Sequence, residues 1–461
     1  MESDFLSWLA MHDDRAYELH EKHLNPALVR MLKTIGFNKT YVRGEGSYLW
    51  DDEGNKYLDF LTGFGVLALG RNHPKVKAVL HQVIDGNLPN VVRMSCNALP
   101  GLVAEKLTHH VGGDLTRVFF CTSGAETIDG AIKFARCFTG RQDIVYCDHA
   151  FHGLTTGALS ISGNDVYRER FGELMPGARR VPFNDLELLE RELASRQAAA
   201  FVVEPVMGKS CEVAADGYLA GAQKLCKQHG TLLVLDEVQT GLGRTGKWFA
   251  FQHWPGVEPD IVCVAKALSG GYVPVGAIVT RAPIMDSVFD SMERSFIHAN
   301  TFGGMDLAMA AAYATLSVME EDHIVENAAA MGASLMDCLS ILVRECPFVT
   351  EVRGKGLMIG IDFARPKDSL PLKMAWDMLH RLNFGVFSQM VVMPLMHDHR
   401  ILTQVAGYHT EVIKFLPPLI VNQSDCNWFL CAMRDVLANM QRFPGAAWDT
   451  VAGMAKSTIT G

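Results

Sequence analysis

Lys266 closes IVCVAK (261–266), an apolar run that holds no other charge. A lysine at the tip of a buried strand is desolvated. Its pKa falls, and the neutral amine becomes a nucleophile suited to Schiff-base chemistry. The same position also lets a lysine snorkel to solvent, so the run alone leaves both readings open. Asp236 ends the preceding apolar run, LLVLD (232–236). A carboxylate beside a pyridine-type nitrogen keeps that nitrogen protonated, and the protonated ring is an electron sink for carbanion chemistry. The alternative is an acid that caps the next helix. Ser123-Gly124-Ala125-Glu126 follows VFFCT and opens a helix-like stretch. Small residues there present free N–H groups and the positive end of the helix dipole, which together make a phosphate site. Ser with Glu three residues on is equally a capping box. Phe151-His152-Gly153 follows IVYCDHA, where a flat ring can stack on a heteroaromatic group or fill core.

These residues need elements to hold them. Short apolar runs at 118–121, 144–147, 199–206, 232–238, 261–266 and 275–280 are separated by helix-length stretches. Runs apolar on both sides indicate a mostly parallel sheet covered on both faces. Ligands of such sheets bind outside the carboxyl ends of the strands. The SGAE turn, Glu204-Pro205, Asp236 and Lys266 all follow strand ends, so one shared cleft is expected. Residues 41–60 alternate and carry Glu-Gly turn signals, which read as a hairpin. In residues 1–40, Leu24, Leu28, Met31, Leu32 and Ile35 share one face at helical spacing. An Ala-rich helix begins near residue 305, followed by strands near 351–363 and 412–420. The Met-rich stretch 388–400 reads as core.

Two glycine-rich matches mislead. GLGRTG (241–246) fits G-x-G-x-x-G, with Asp260 at a suitable distance, but KWFAFQHWPGVEP follows instead of an amphipathic helix. The same glycines nearly fit a phosphate-binding loop, but Trp248 stands where a hydroxyl is needed, and the GKS at 208–210 lacks its leading glycine. Composition narrows the field further. The 461 residues are 49% apolar and 20% charged, with net charge −9 and no long basic run, which argues against a nucleic-acid partner. The 11 cysteines form no CxxC pair, so neither a zinc site nor a disulfide framework is expected. The opening MESDFLSWLAMHDD does not read as a signal peptide. No apolar run reaches the roughly 18 residues of a membrane span. A cytoplasmic enzyme is expected.

Taken together, SGAE (123–126), FHG (151–153), EP (204–205), LDEVQTGLGRTG (235–246), AKALSGGYVPVGA (265–277) and NTFGG (300–304) resemble class III aminotransferases, the ornithine- and GABA-type enzymes of fold type I. The likeness covers residues 40–440. It implies an α/β fold. A large domain with a mostly parallel seven-stranded sheet covered by helices is joined to a smaller α+β domain built from the N- and C-terminal segments. The boundaries expected are 1–60, 61–305 and 306–461. The resemblance implies pyridoxal 5'-phosphate as cofactor, carried on Lys266, with Asp236 at the ring nitrogen. Val238 and Phe151 pack on the two ring faces, with His152 beside Phe151, Gln239 near the phenolic oxygen and Glu204 close by. Ser123, Gly124 and Ala125 hold the phosphate. Thr301 reaches the phosphate of a neighbouring subunit, which implies an obligate homodimer. Phe64 belongs to the substrate site. No metal is implied. Small amines and keto acids or aldehydes are the implied substrates, turned over by ping-pong transamination. An aminomutase, racemase or decarboxylase on the same fold is the alternative.

The departures from the family pattern carry information. Much of the family reads EPxQGE after the strand and Arg before PPL, a carboxylate switch; here the positions are Lys209 and Lys414, and Met207 replaces Gln. Two lysines would repel by about 4 kcal/mol at ~4 Å with an effective dielectric near 20. They point apart or share an anion. Both are assigned to the substrate site, and the main substrate is expected to be an amine or aldehyde with a long apolar or anionic tail. The alternative is that Lys414 still holds 2-oxoglutarate, less tightly than an arginine fork would. Met305-Asp306 stand where the family has Asn-Pro, and Asp306 still suits a helix start.

Overall fold

The computed structural model describes residues 4–92, 94–380, 386–407 and 410–442. Residues 1–3 and 443–461, at the outer ends of the expected 1–60 and 306–461 segments, lie outside the described residues. Seven strands form the large sheet, in the order Arg117–Cys121, Gly276–Thr280, Ile261–Val264, Leu232–Asp236, Ala198–Val203, Asp143–Cys147 and Ala178–Val181. Gly276–Thr280 runs antiparallel to both its neighbours, and the other pairs are parallel. The central runs are buried along their length because alternate residues face two cores, while the edge run 118–120 is half-buried. Ile144, Tyr146, Val202, Val234, Cys263 and Ile278 pack with Ile128, Ile132 and Phe134 of helix Gly124–Thr139. Val145, Cys147, Phe201, Val203, Leu235, Val264 and Val279 face the larger core on the other side.

The edge strand Ala178–Val181 (ARRV) was absent from the sequence expectations. Arg180 pairs with Asp165 and Asp148, and Arg179 with Asp143. Charge along an exposed edge hides the strand from hydropathy and blunts edge-to-edge pairing.

Residues 41–59 form three antiparallel strands, Tyr41–Glu45, Tyr48–Asp51 and Lys56–Asp59. Ile401–Leu402 adds to the last in parallel, so N- and C-terminal segments share one sheet. A third sheet holds Val349–Lys355, Met358–Phe363, Val412–Phe415 and Gln404–Val405. Met390, Met393 and Met396 are buried, as read from sequence. The Ile324–Glu345 stretch is, by length and mean hydropathy, long enough to cross a membrane. It packs one face against Val349–Lys355 and Gln423–Met440, with a third of its residues buried. All eleven cysteines are free, seven of them buried.

The shared apolar face of residues 24–35 is largely uncovered. Helix Pro26–Thr34 buries Val29, while Leu24, Leu28 and Met31 are exposed. Leu32 and Ile35 of the same stripe are half-buried, so the face is only partly covered by the fold. Asp306 opens helix Asp306–Glu321, and its carboxylate accepts from the Asn97 side chain at 2.8 Å and the Asn90 N–H at 2.9 Å. It thereby pins the segment leading to helix Ala98–Val111.

Candidate active site

Loops from the carboxyl edge of the large sheet enclose a cavity of about 410 Å3. Its wall brings together Ser123, Gly124, Ala125, Phe151, His152, Asp236, Val238 and Lys266. Thr122, Val66, Ser269 and Gly271 also line it and went unread, since no spacing signal links them to the rest.

Lys266 stands where Ile261–Val264 ends. Its backbone is left-handed, with φ 37°, a conformation that costs a side-chain-bearing residue about 1–3 kcal/mol. The strand therefore turns sharply into a single helical turn, Lys266–Ser269. Burial pulls the Lys266 amine below its ordinary pKa, against the opposing pull of Asp236 and Glu204.

Asp236 is buried. One carboxylate oxygen accepts the Val238 N–H at 2.9 Å, and the other meets His152 Nδ1 at 2.7 Å. Burial alone would lower the His152 pKa, but the hydrogen bond and charge of Asp236 outweigh it and leave the pKa raised. The imidazole fixes the carboxylate's orientation. This pairing was not read from sequence, because its partners lie 84 residues apart.

Glu204 lies behind the wall. Its two oxygens accept the Phe151 N–H at 3.0 Å and the Gly208 N–H at 2.8 Å. Burial raises its pKa, and His152 partly offsets this. The acid ties two loops together.

Helix Gly124–Thr139 points its N-terminus into the cavity. Ser123 Oγ accepts from the Glu126 N–H at 3.2 Å. Glu126 turns back to the strand end, accepting from the Thr122 N–H and hydroxyl at 2.6 Å each. Among the described residues the Gly124 and Ala125 N–H groups donate to no protein acceptor. A Cβ on Gly124 would sit 2.7 Å from Val238, and one on Gly153 (φ 132°) 2.5 Å from Ala125. Glycine at both positions lets the wall close this tightly.

Gln239 donates to the Phe64 carbonyl at 3.0 Å and accepts from Lys414 Nζ at 3.3 Å. Lys414 is 3% exposed, and its ammonium also donates to the Gly208 carbonyl. Burial brings its pKa down to about 8. Lys209 lies apart from it, 4.3 Å from the Phe151 ring centroid and 5.3 Å from that of Tyr167. The two lysines have different partners, while the Lys209 charge still helps to lower the Lys414 pKa. Phe64 has φ 64° and a side chain 57% exposed, so its carbonyl rather than its ring meets this network. Thr301 is exposed and is not in the cavity wall.

An amine, a histidine-braced carboxylate and a helix N-terminus with unused donors share one space. That donor set fits pyridoxal phosphate: anion at the helix, ring nitrogen at Asp236, aldehyde at Lys266. His152 Nε2 is buried with no partner among the described residues.

GLGRTG does other work. Arg244 is buried, and its guanidinium donates to the carbonyls of Leu357, at 3.0 Å, and Pro417. The turn ties the end of strand Leu232–Asp236 to the later segments around Leu357 and Pro417.

Comparison with known proteins agrees with this geometry. The family model "Aminotransferase class-III" matches residues 34–437. Aminotransferase PigE of Serratia is 33% identical over 455 residues, covering 92% of this chain; the chain spans about half, 53%, of that relative's length. The ornithine aminotransferase of Toxoplasma gondii superposes with a TM-score of 0.82 at 27% identity, over 96% of this chain and 99% of that one. An amine transaminase from an uncultivated Pseudomonas species, solved with pyridoxal phosphate bound, gives a TM-score of 0.77 at 28% identity, over 87% and 95%. Fold, strand-end residues and sequence match converge: the chain belongs to the class III aminotransferase family.

Proposed function

We propose that this protein is a pyridoxal-phosphate-dependent aminotransferase. It would move an amino group between an amine or amino-acid donor and a keto-acid or aldehyde acceptor by ping-pong chemistry. The observation that carries this reading is the meeting of Lys266, the Asp236–His152 pair and the Ser123–Ala125 helix start in one cavity. Bound pyridoxal phosphate supplies an aldehyde and an electron-withdrawing pyridinium ring. The Gly124 and Ala125 N–H groups hold the phosphate. Asp236 keeps the ring nitrogen protonated, and His152 holds Asp236 in register. The Lys266 amine, made neutral more readily by burial, would hold the cofactor through its aldehyde and, when free, would take and return a proton at Nζ. Val238 and Phe151 exclude water from the two ring faces. Lys414 supplies the positive charge for a substrate carboxylate, as a point charge without an arginine's fork. Thr301, exposed beside exposed Phe296, Ile297 and Phe302, supports a homodimer in which it serves the neighbouring site.

The test is direct. Borohydride reduction of the protein incubated with pyridoxal phosphate is expected to fix the cofactor on Lys266, as read by peptide mass. Adding an amine donor without acceptor is expected to leave the nitrogen on the enzyme as the aminated cofactor. Label found elsewhere than on Lys266 would overturn the cofactor reading. Covalent cofactor with no amine transfer would turn the reading towards a racemase or decarboxylase.

A further inference from the structure

Lys209 occupies a position where the family pattern calls for an acid, and it does not line the cavity that holds Lys266. It borders a second cavity of about 250 Å3, together with His149 and Ala150. Phe151, next in the chain, lines the first cavity, so the 149–151 segment borders both. The Lys209 ammonium lies 4.3 Å from the centroid of that ring. Tyr167 closes the arrangement from the side, with ring centroids 5.4 Å apart at 67° to Phe151 and its own centroid 5.3 Å from the ammonium. The backbone enforces the meeting. Glu204 holds the Phe151 N–H with one oxygen and the Gly208 N–H with the other, so Lys209, next in the chain, is carried to the same ring from outside the first cavity's wall.

We propose that Lys209 is a positioning residue that clamps the Phe151 ring from outside the cofactor cavity, rather than a ligand for substrate. A cation over an aromatic face is attracted by its quadrupole, and the attraction grows as water is excluded. With one face held, Phe151 keeps the other at a fixed depth against whatever fills the cavity, and a bound ring loses less freedom on stacking there. The charge has a second effect. Lys209 also acts on Lys266, adding to the burial that already favours its neutral amine. An acid at this position, as in the family pattern, would act the other way. Phe64, Gln239 and Lys414 would then carry substrate selection without it.

This inference rests on the proposed cofactor reading, so wild-type binding of pyridoxal phosphate is the control. If the wild-type chain fails to bind it, that reading fails first. Given wild-type binding, Lys209→Met, which keeps the stem and removes the charge, is expected to weaken cofactor affinity roughly fivefold. The pH midpoint of the bound cofactor's absorbance should rise by roughly half a unit as the nearby charge is lost. Lys209→Arg, whose guanidinium also stacks on aromatic faces, is expected to restore both values. Melting temperatures of the cofactor-free proteins separate a folding defect from a clamp defect. A Met variant that melts like wild type and binds the cofactor more weakly supports the clamp. A Met variant with unchanged affinity and midpoint overturns it. So does one in which only the KM for carboxylate substrates changes, which would return Lys209 to the substrate site.

Discussion

Two glycine-containing turns leave the same edge of the large sheet, and they are built to opposite ends. Ser123–Glu126 follows Arg117–Cys121, and GLGRTG follows the strand that ends at Asp236. In the first, the acid folds back onto Thr122, and the donors of Gly124 and Ala125 are left facing the cavity. In the second, the turn fills itself. Arg244 reaches through it to two carbonyls, and a Cβ on Gly243 or Gly246 would sit 2.9 Å from Leu419 or Ala329. Glu237, just before that turn, accepts from the Thr240 hydroxyl and the N–H groups of Ala250, at 3.0 Å, and Phe251, at 2.8 Å. Burial pushes its pKa up to about 7. Glycine spacing is common to both turns. What separates a ligand site from a packing joint is whether backbone donors remain unclaimed and face open space.

The contrast can be broken at either turn, and the largest effect is expected at the joint. Arg244→Ala removes a buried cation and strands two carbonyls, so denaturant unfolding should show a loss of about 3 kcal/mol. Cofactor affinity of the folded fraction should stay within about twofold of wild type, since Arg244 does not line the cavity. A variant that keeps its stability but loses cofactor would reverse the two assignments.

Lys414 is a second buried cation on carbonyl oxygens, but Gln239 links it to the neighbour of cavity-lining Val238. Lys414→Ala should cut discrimination for glutamate over simple amines by about tenfold, the worth of one charged hydrogen bond. Its pKa, down to about 8, sets the sign of the pH effect. The ammonium is charged below that value, so carboxylate substrates should bind best there and weaken roughly tenfold from pH 7 to 9. The folded state holds this proton less tightly than the unfolded chain does. The burial penalty is therefore present at low pH and relieved as pH rises through about 8. A flat KM profile for carboxylate substrates would remove Lys414 from the site.

A smaller change is expected at the open turn. Gly124→Ala drives a Cβ to 2.7 Å from Val238, and cofactor affinity should fall roughly fivefold as the wall shifts. Ser123→Ala is the mildest, costing about 0.5–1 kcal/mol of stability through the lost cap. Equal effects of these two on melting and on cofactor binding would erase the distinction between cap and cradle.

Much of this was legible in the residues, and the gaps have physical causes. Six strands of the large sheet announce themselves as apolar runs because both faces are covered, fully in the centre and partly at Arg117–Cys121. The seventh, Ala178–Val181, is short and carries two arginines to solvent, so nothing in its hydropathy marks it. Periodicity also says nothing about direction, and Gly276–Thr280 looks like its parallel neighbours while running against them. Lys266 and Asp236 were readable because each ends an uncharged run. Their surroundings were not: His152 meets Asp236, and Glu204 joins the Phe151 and Gly208 loops, through distances in sequence that no local pattern spans. The spacing of residues 24–35 correctly marked a helix at Pro26–Thr34 but missed the break at Leu24, which lies between two helices, and amphipathicity records an apolar face without naming what covers it.

The pairing of Lys56–Asp59 with Ile401–Leu402 bears on synthesis. Leu58 leaves the ribosome long before Ile401 exists, and at about 5–20 residues per second the interval is on the order of tens of seconds. Through that interval the first three-stranded sheet has an unclosed border, a template for joining another chain. Crowding by fellow nascent chains, and cleavage anywhere before residue 401, would therefore lower recovery of this protein.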